Sequence, residues 1–368
     1  MKIIFLTSTP LPKHFVKMLN LKEFYKLKIA VEIWSLGRLF LDQEDINLYF
    51  KNKNLNFQNK KHIKINSLET LDKKLRENKK YIFIHLSKYN QTINDNLLID
   101  KLNLFKIKYL AINADPRSLF YSLKDIIKFP IRFIRRKLKY KNFLPSAVIT
   151  SGLEGYKDAK IFFPKSHIID IPSIKIKWNK EKKIIQDKYI CFIDENVGFS
   201  PDANLLKLTQ CKNIPLYYKN LNNFFDKIEK WYNLRLIICA SGKHIYKNKI
   251  KFFRNRKIIY GKTSELIQHS EFIIAHGSLA IDQAFVSKKH ILTIDEKSLT
   301  DQKRNQWVYF DNFLKNKRLY CDQIIKDDIE KLLGSNLNYY KGYIKNYLKN
   351  KNTKKSFAEL IFHYLNKI

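Results

Sequence analysis

The run Ile273-Ile-Ala-His-Gly-Ser-Leu-Ala-Ile-Asp-Gln-Ala284 gathers the residue types most ready for chemistry in this chain of 368 residues. An apolar strand is predicted to end at Ala275, His276-Gly277-Ser278 to make the turn, and a helix to open at about Ser278. A hydroxyl and several main-chain N–H groups then converge at the C-terminal edge of a parallel sheet, a geometry that binds phosphate. Taken alone, the pattern is a plain N-cap serine after a strand. Its company shifts the balance. Gly261-Lys-Thr263 follows a predicted strand over 257–260 with the same order of parts and Thr263 as N-cap, and Ser241-Gly242-Lys-His244 follows another over 234–240. Read as adjacent strand-turn-helix edges, these turns gather Ser241, Gly242, His244, Thr263, His276, Gly277 and Ser278 around one nucleotide-phosphate site.

A carboxylate is the other group such a site needs. The first strand of the second half ends on Asp194-Glu195, within Phe192-Ile-Asp-Glu-Asn-Val-Gly-Phe-Ser-Pro-Asp202. A carboxylate at a strand end is placed to remove the proton of an acceptor hydroxyl. Capping a turn is the alternative role, and for Asp202, preceded by Pro201, it is the expected one. No metal set is visible: the nine His are scattered, HExxH is absent, and Cys191, Cys211, Cys239 and Cys321 form no CxxC pair, so metal-independent chemistry is expected. The lack of GxGxxG, of a Walker lysine loop and of GxSxG argues against Rossmann dehydrogenases, P-loop enzymes and common hydrolases.

The elements that must position these residues alternate. Strands are predicted at 2–6, 31–34, 81–85, 109–113, 147–150 and 168–171, with helices at 13–26, 68–78 and 95–105. Residues 153–165 read as short pieces, and 174–183 as a charged linker. Alternation then restarts, with strands at 189–193, 235–240, 257–260, 272–275 and 290–294 and helices at 221–232, 264–269 and 279–286, before a helical tail. The expected fold is α/β, with two Rossmann-like domains facing a cleft and a helical C-terminal tail. The domain ranges are 1–175, 186–335 and, for helices packing across both, 336–368.

Composition bounds the class. With 45% hydrophobic and 14% aromatic residues, the chain is globular, neither disordered nor fibrous. Net charge is +36. Only 11 of the 70 basic residues are Arg, a bias that A/T-rich codons explain as well as any polyanion does. Reading bases or gripping phosphate bidentately favours Arg, so nucleic acid is not the expected partner. Unpaired cysteines, the lack of a signal-peptide pattern and the lack of a long apolar run place the chain in the cytoplasm as an expectation.

The assembled pattern resembles the bacterial surface-carbohydrate glycosyltransferases of GT-B type, those of capsule and lipopolysaccharide, and in particular the sialyltransferase-like ones. The likeness begins at Ile4-Phe-Leu-Thr-Ser-Thr-Pro-Leu-Pro12, runs through Phe192-Ile-Asp-Glu-Asn196 and Phe199-Ser-Pro-Asp202, and is densest from Tyr260-Gly-Lys-Thr263 to His276-Gly-Ser278. In that family an acidic motif supplies the base, an HP pair contacts the nucleotide phosphate and a later Ser/Thr motif holds it. Asp194-Glu195 resembles the acidic motif, with Asn196 where Gly is usual; Ser278 resembles the Ser motif; Ser241-Gly-Lys-His244 stands in place of the HP pair. The resemblance implies a nucleotide-sugar donor in the C-terminal domain and an oligosaccharide or lipid-linked glycan acceptor in the N-terminal domain, with no cofactor. It further implies Asp194 or Glu195 as base, Ser278 and Thr263 as phosphate ligands, and His276 or His244 as cation or acid at the leaving group. A CMP-activated, sialic-acid-like ulosonic acid is the first donor expected, a UDP-sugar the second. Polyol-phosphate or pyruvyl transfer on the same fold is an alternative, as is a non-enzymatic basic RNA-binding protein.

One local charge run stands apart. Residues 128–141 carry seven basic side chains and no acid, with Arg132, Arg135, Arg136 and Lys137 interleaved with Phe and Ile. Such a segment suits an anionic membrane surface, making the protein peripheral at the inner face of the membrane. A solvated face or an acceptor groove uses the same composition.

Overall fold

The computed structural model describes residues 1–7, 19–40, 61–86, 93–113, 143–200, 208–241, 252–305, 318–335, 337–349 and 355–367, with positions 203, 313, 314 and 353. The chain divides into two compact units, 1–175 with 344–368, and 176–343.

Unit 1 is built on strands β1 (Lys2–Thr7), β2 (Ala30–Ser35), β3 (His62–Lys64), β4 (Ile82–His85), β5 (Tyr109–Asn113), β6 (Ala147–Thr150) and β7 (His167–Asp170). Between them run helices α1 (Leu21–Lys26), α2 (Leu68–Glu77), α3 (Ile93–Leu104) and α4 (Gly152–Phe162). All seven strands are parallel, in the order β3-β2-β1-β4-β5-β6-β7. Strand alternation splits the core between the two faces of the sheet: Ile4 and Leu6 of β1 pack with Leu71, Leu75 and Leu98, while Ile3 and Phe5 pack with Phe24 and Val31. Residues 153–165, read above as short pieces, lie largely in the single helix α4. Gly152 opens that helix at φ +74°, and Gly155 and Ala159 let it pack closely, so its buried face carries little of the apolar signal that marks a helix.

Unit 2 holds β8 (Tyr189–Asp194), α5 (Ile214–Tyr232), β9 (Arg235–Ala240), β10 (Ile258–Tyr260), α6 (Thr263–His269), β11 (Ile273–Ala275), α7 (Ile281–Val286), β12 (Ile291–Asp295), α8 (Asp301–Asn305), β13 (Leu319–Tyr320), α9 (Lys326–Leu333) and α10 (Tyr340–Tyr343). Its sheet is also parallel, ordered β10-β9-β8-β11-β12-β13. The chain builds outward from β8 in one direction, then returns to β11 and builds in the other. The gap between β8 and β11 is therefore the switch point, where ligands of doubly wound sheets bind.

Helix α5 starts seven residues before the sequence expectation. Asn213 caps it by accepting from the Leu216 N–H at 3.0 Å, and Pro215 sits in the first turn, where its missing N–H costs no hydrogen bond. Tyr217, Leu221, Phe224, Phe225 and Ile228 form its buried stripe. The charged stretch 174–183 is strapped to unit 2. Gln283 accepts from the Lys177 N–H at 2.9 Å and Gln268 from the Glu181 N–H at 2.7 Å.

After Tyr343 the chain passes back into unit 1 through a π-helix (Ile344–Leu348) against α4 and ends in α11 (Phe357–Leu365), which Ser356 and Glu359 open as a capping box. Among the described residues no helix is long and apolar enough to cross a membrane.

Candidate functional site

At the switch point of unit 2, β8 delivers Asp194 and Glu195, and β11 delivers His276, Gly277 and Ser278. Ala275 pairs in register with Ile193, so the two turns begin side by side. Glu195 bridges them: Oε1 accepts the Gly277 N–H at 2.7 Å, and Oε2 accepts from Lys303 Nζ of α8 at 2.5 Å. This ion pair is nearly sealed, with side-chain exposures of 10% and 5%. Burial pushes the Glu195 carboxyl up, but the Lys303 charge, with the hydrogen bonds from Lys303 and the Gly277 N–H, outweighs it and holds the group below its ordinary value. A base so weakened and fully engaged is poorly suited to proton abstraction. Asp194, 4% exposed, accepts the Asn196 N–H at 3.0 Å; it caps a tight turn in which Asn196 takes φ +53°.

His276 is fully buried. Nδ1 lies 2.9 Å from the Ile294 carbonyl, which can only accept, so this nitrogen carries the proton; Nε2 then accepts from the Tyr217 hydroxyl at 2.7 Å. Burial drives its pKa down to about 4, against the opposing charge of Glu195, and the imidazole is neutral at pH 7. Through these two contacts it ties β11 to β12 and α5.

Ser278 is half-buried and accepts the Ala280 N–H at 3.2 Å. The helix expected to open there begins at Ile281, because 278–280 first form a tight turn. Thr263 is the first residue of α6 rather than its cap, a place taken by Lys262. The edges holding Thr263 and Ser278 were expected to be neighbours, yet β9 and β8 lie between β10 and β11. Three strand spacings make about 14 Å, a separation for an extended nucleoside diphosphate rather than one phosphate. Ser241 follows β9 between them and is half-buried. Gly242, His244, Asp202, Arg132, Arg135, Arg136 and Lys137 lie outside the described residues.

Sequence reasoning missed the other half of this edge. Ile193-Asp-Glu195 recurs as Ile294-Asp-Glu296, and the two triplets end β8 and β12, the two neighbours of β11. Glu296 is 1% exposed and accepts from Asn220 Nδ2 at 2.7 Å, the Ser298 N–H at 2.8 Å and the Ser298 hydroxyl. Asp295 takes Arg304 Nε at 2.9 Å, and Arg304 also donates to the Glu296 carbonyl. Arg318 donates to the carbonyls of His276 and Ile294. The repeated triplet was the available signal, as was the choice of Arg at 304 and 318 in a chain that otherwise prefers Lys. Among the described residues at the ends of β8, β11 and β12, the carboxylates of Asp194, Glu195, Asp295 and Glu296 stand against the bonded cations Lys303, Arg304 and Arg318. Among the described residues no group of three His, Cys, Asp or Glu is placed to hold a metal ion.

No protein-family model and no curated protein sequence matches the chain. Solved structures do match. The chain is similar to the UDP-GlcNAc 2-epimerase of Methanocaldococcus jannaschii in complex with UDP-GlcNAc and UDP, at 15% identity, all of both chains covered and a TM-score of 0.55. It is also similar to the glycosyltransferase SnogD from Streptomyces nogalater, at 10% identity, with all of this chain and 99% of that one covered and a TM-score of 0.52. The likeness shows the fold: two Rossmann-like units in one chain, of the GT-B kind.

Proposed function

We propose that the chain is a glycosyltransferase that takes a sugar from a nucleotide donor bound on unit 2 and passes it to a glycan acceptor bound on unit 1. The observation that carries this reading is the braced turn at the β8–β11 switch point, where half-buried Ser278 stands beside a carboxylate-bearing strand end. Two proteins of the same fold act on or bind nucleotide sugars, or transfer sugars, by their own descriptions, which supports the substrate class and favours a UDP-sugar over the CMP-ulosonic acid. Thr263 takes the nucleoside end of the donor and Ser278 the phosphate end, across the separation of their strands. Asp194 acts as the base. Glu195, held by Lys303, positions the Gly277 turn, as His276 does from beneath. Transfer proceeds without a metal ion, and the acceptor is a surface or lipid-linked saccharide, met where the 128–141 segment holds the protein at an anionic membrane.

Calorimetry with UDP, CMP and UDP-GlcNAc tests the donor. Binding of UDP that weakens in Ser278→Ala supports the reading; no binding of any nucleotide overturns it. Asp194→Asn should lower turnover far more than donor affinity, because its contact to the acceptor proton matters mainly in the transition state. Interconversion at the sugar C2 without transfer to any acceptor would instead make the chain an epimerase.

A further inference from the structure

A cavity of about 500 Å³ opens at the opposite edge of the unit 2 sheet, where β8, β9 and β10 begin. Tyr189 and Arg235 are the first residues of β8 and β9, and Lys257 immediately precedes β10. Each of β8 and β9 is six residues long, so about 17 Å separates this cavity from the candidate site. The size falls within the range of small-molecule sites.

Its charge is not balanced. Five basic and three acidic side chains line it, and most of the acidic capacity is already spent. Asp226 holds both Arg254 and Arg256. Glu229 accepts from the Leu236 N–H at 2.7 Å through one oxygen and from Arg256 at 2.7 Å and 3.0 Å through the other. Arg256, 7% exposed, is further fixed by Asn222 and by the ring of Phe225, so this network is a rigid wall. Lys188, Arg235 and Lys257 remain, against Asp187 alone. Lys188 approaches Glu271 only at 3.9 Å with both groups well exposed, and among the described residues Arg235 and Lys257 form no ion pair. The lining therefore carries an excess of two positive charges at one mouth. Three of the chain's 11 Arg stand here, although the composition draws basic positions towards Lys.

We propose that this cavity binds the phosphate monoester of a small molecule, with Arg235 and Lys257 as its anion contacts and the Arg256 network as its wall. A phosphate monoester carries about −1.5 to −2 charge at pH 7, which matches the excess. The volume beyond the phosphate accommodates the organic part. Arg235 offers a planar fork suited to phosphate oxygens, and Lys257 a point charge.

The test uses ribose 5-phosphate, with ribose and inorganic phosphate as controls, titrated calorimetrically into the full chain at low salt, with and without saturating UDP. Saturable binding of ribose 5-phosphate is expected, unaffected by UDP, tighter than for inorganic phosphate, absent for ribose and weakened by added salt. Arg235→Ala with Lys257→Ala should weaken it about tenfold or more while leaving the unfolding temperature of the free protein and its nucleotide affinity unchanged. Both side chains are exposed at strand entrances, so the fold does not depend on them. No saturable binding up to about 10 mM, equal affinity in the double variant, or displacement by UDP would each overturn the proposal. Because the readout is binding at a separate edge, a chain that binds no nucleotide sugar still decides it.

Discussion

His276 makes the stability of unit 2 sensitive to acid. In the unfolded chain its imidazole titrates near 6.5; in the fold, burial holds it to about 4, even with Glu195 pulling the other way. At pH 7 it is neutral in both states. As pH falls below 6.5, the unfolded chain takes up a proton that the folded one refuses until about 4, so stability present above 6.5 is progressively lost. A difference of this size costs about 2 kcal/mol by pH 5 and about 3 kcal/mol by pH 4. Urea unfolding at pH 7, 6 and 5, followed by tryptophan fluorescence, measures it. His276→Gln should be less stable than the parent at pH 7, since Tyr217 and the Ile294 carbonyl lose a matched partner. Its stability should nevertheless fall by about 2 kcal/mol less than the parent's between pH 7 and pH 5. His290, also held below its ordinary value by burial, contributes equally to both proteins and cancels in the difference. Identical losses in parent and variant would refute a buried, neutral His276.

The Glu195–Lys303 pair should behave as a coupled unit: Lys303→Met leaves a buried carboxylate without its counter-charge and should cost about 3–5 kcal/mol in urea unfolding. Adding Glu195→Gln should restore part of that loss, and strict additivity of the two changes would show that the pair does not interact. Gly152→Ala should cost about 3 kcal/mol, because the residue sits at φ +74° and the new Cβ would fall 2.6 Å from the main chain of Tyr347. At Gly261 the backbone is similar, φ +64°, but the space is open, so alanine there should cost only about 1 kcal/mol; equal shifts in unfolding temperature would contradict the packing of α4 on the π-helix.

Much of the fold was legible because the strands of both units are buried on both faces and stand out as apolar runs. Tyr189-Ile-Cys-Phe-Ile-Asp194, for one, is buried at every position. Two short edge strands escaped, whereas β10, also short, was found from its Ile258-Ile-Tyr260 run. His62–Lys64 and Leu319–Tyr320 have two or three half-buried residues each and too little apolar length to register. The candidate site was legible in part for a related reason. Residues at strand ends can be found from the strands, so Asp194, Glu195, His276 and Ser278 were found together, whereas which edges meet depends on strand order. Thr263 and Ser278 follow one another in sequence but are separated by two strands that enter the sheet earlier.

The charges teach a similar lesson about scale. A net +36 says nothing about where an anion binds when most of the positive charge is Lys spread along the whole sequence. At the switch point the cations are consumed: Lys303 by Glu195, Arg304 by Asp295, and Arg318 by two carbonyls. Among the described residues these contacts brace the His276-Gly277-Ser278 turn. At the opposite edge two acids neutralise two arginines and leave the remaining cations in excess, which is the arrangement that attracts a small anion. The pairing of each charge, more than the number of charges, separates a rigid scaffold from an anion site in this chain.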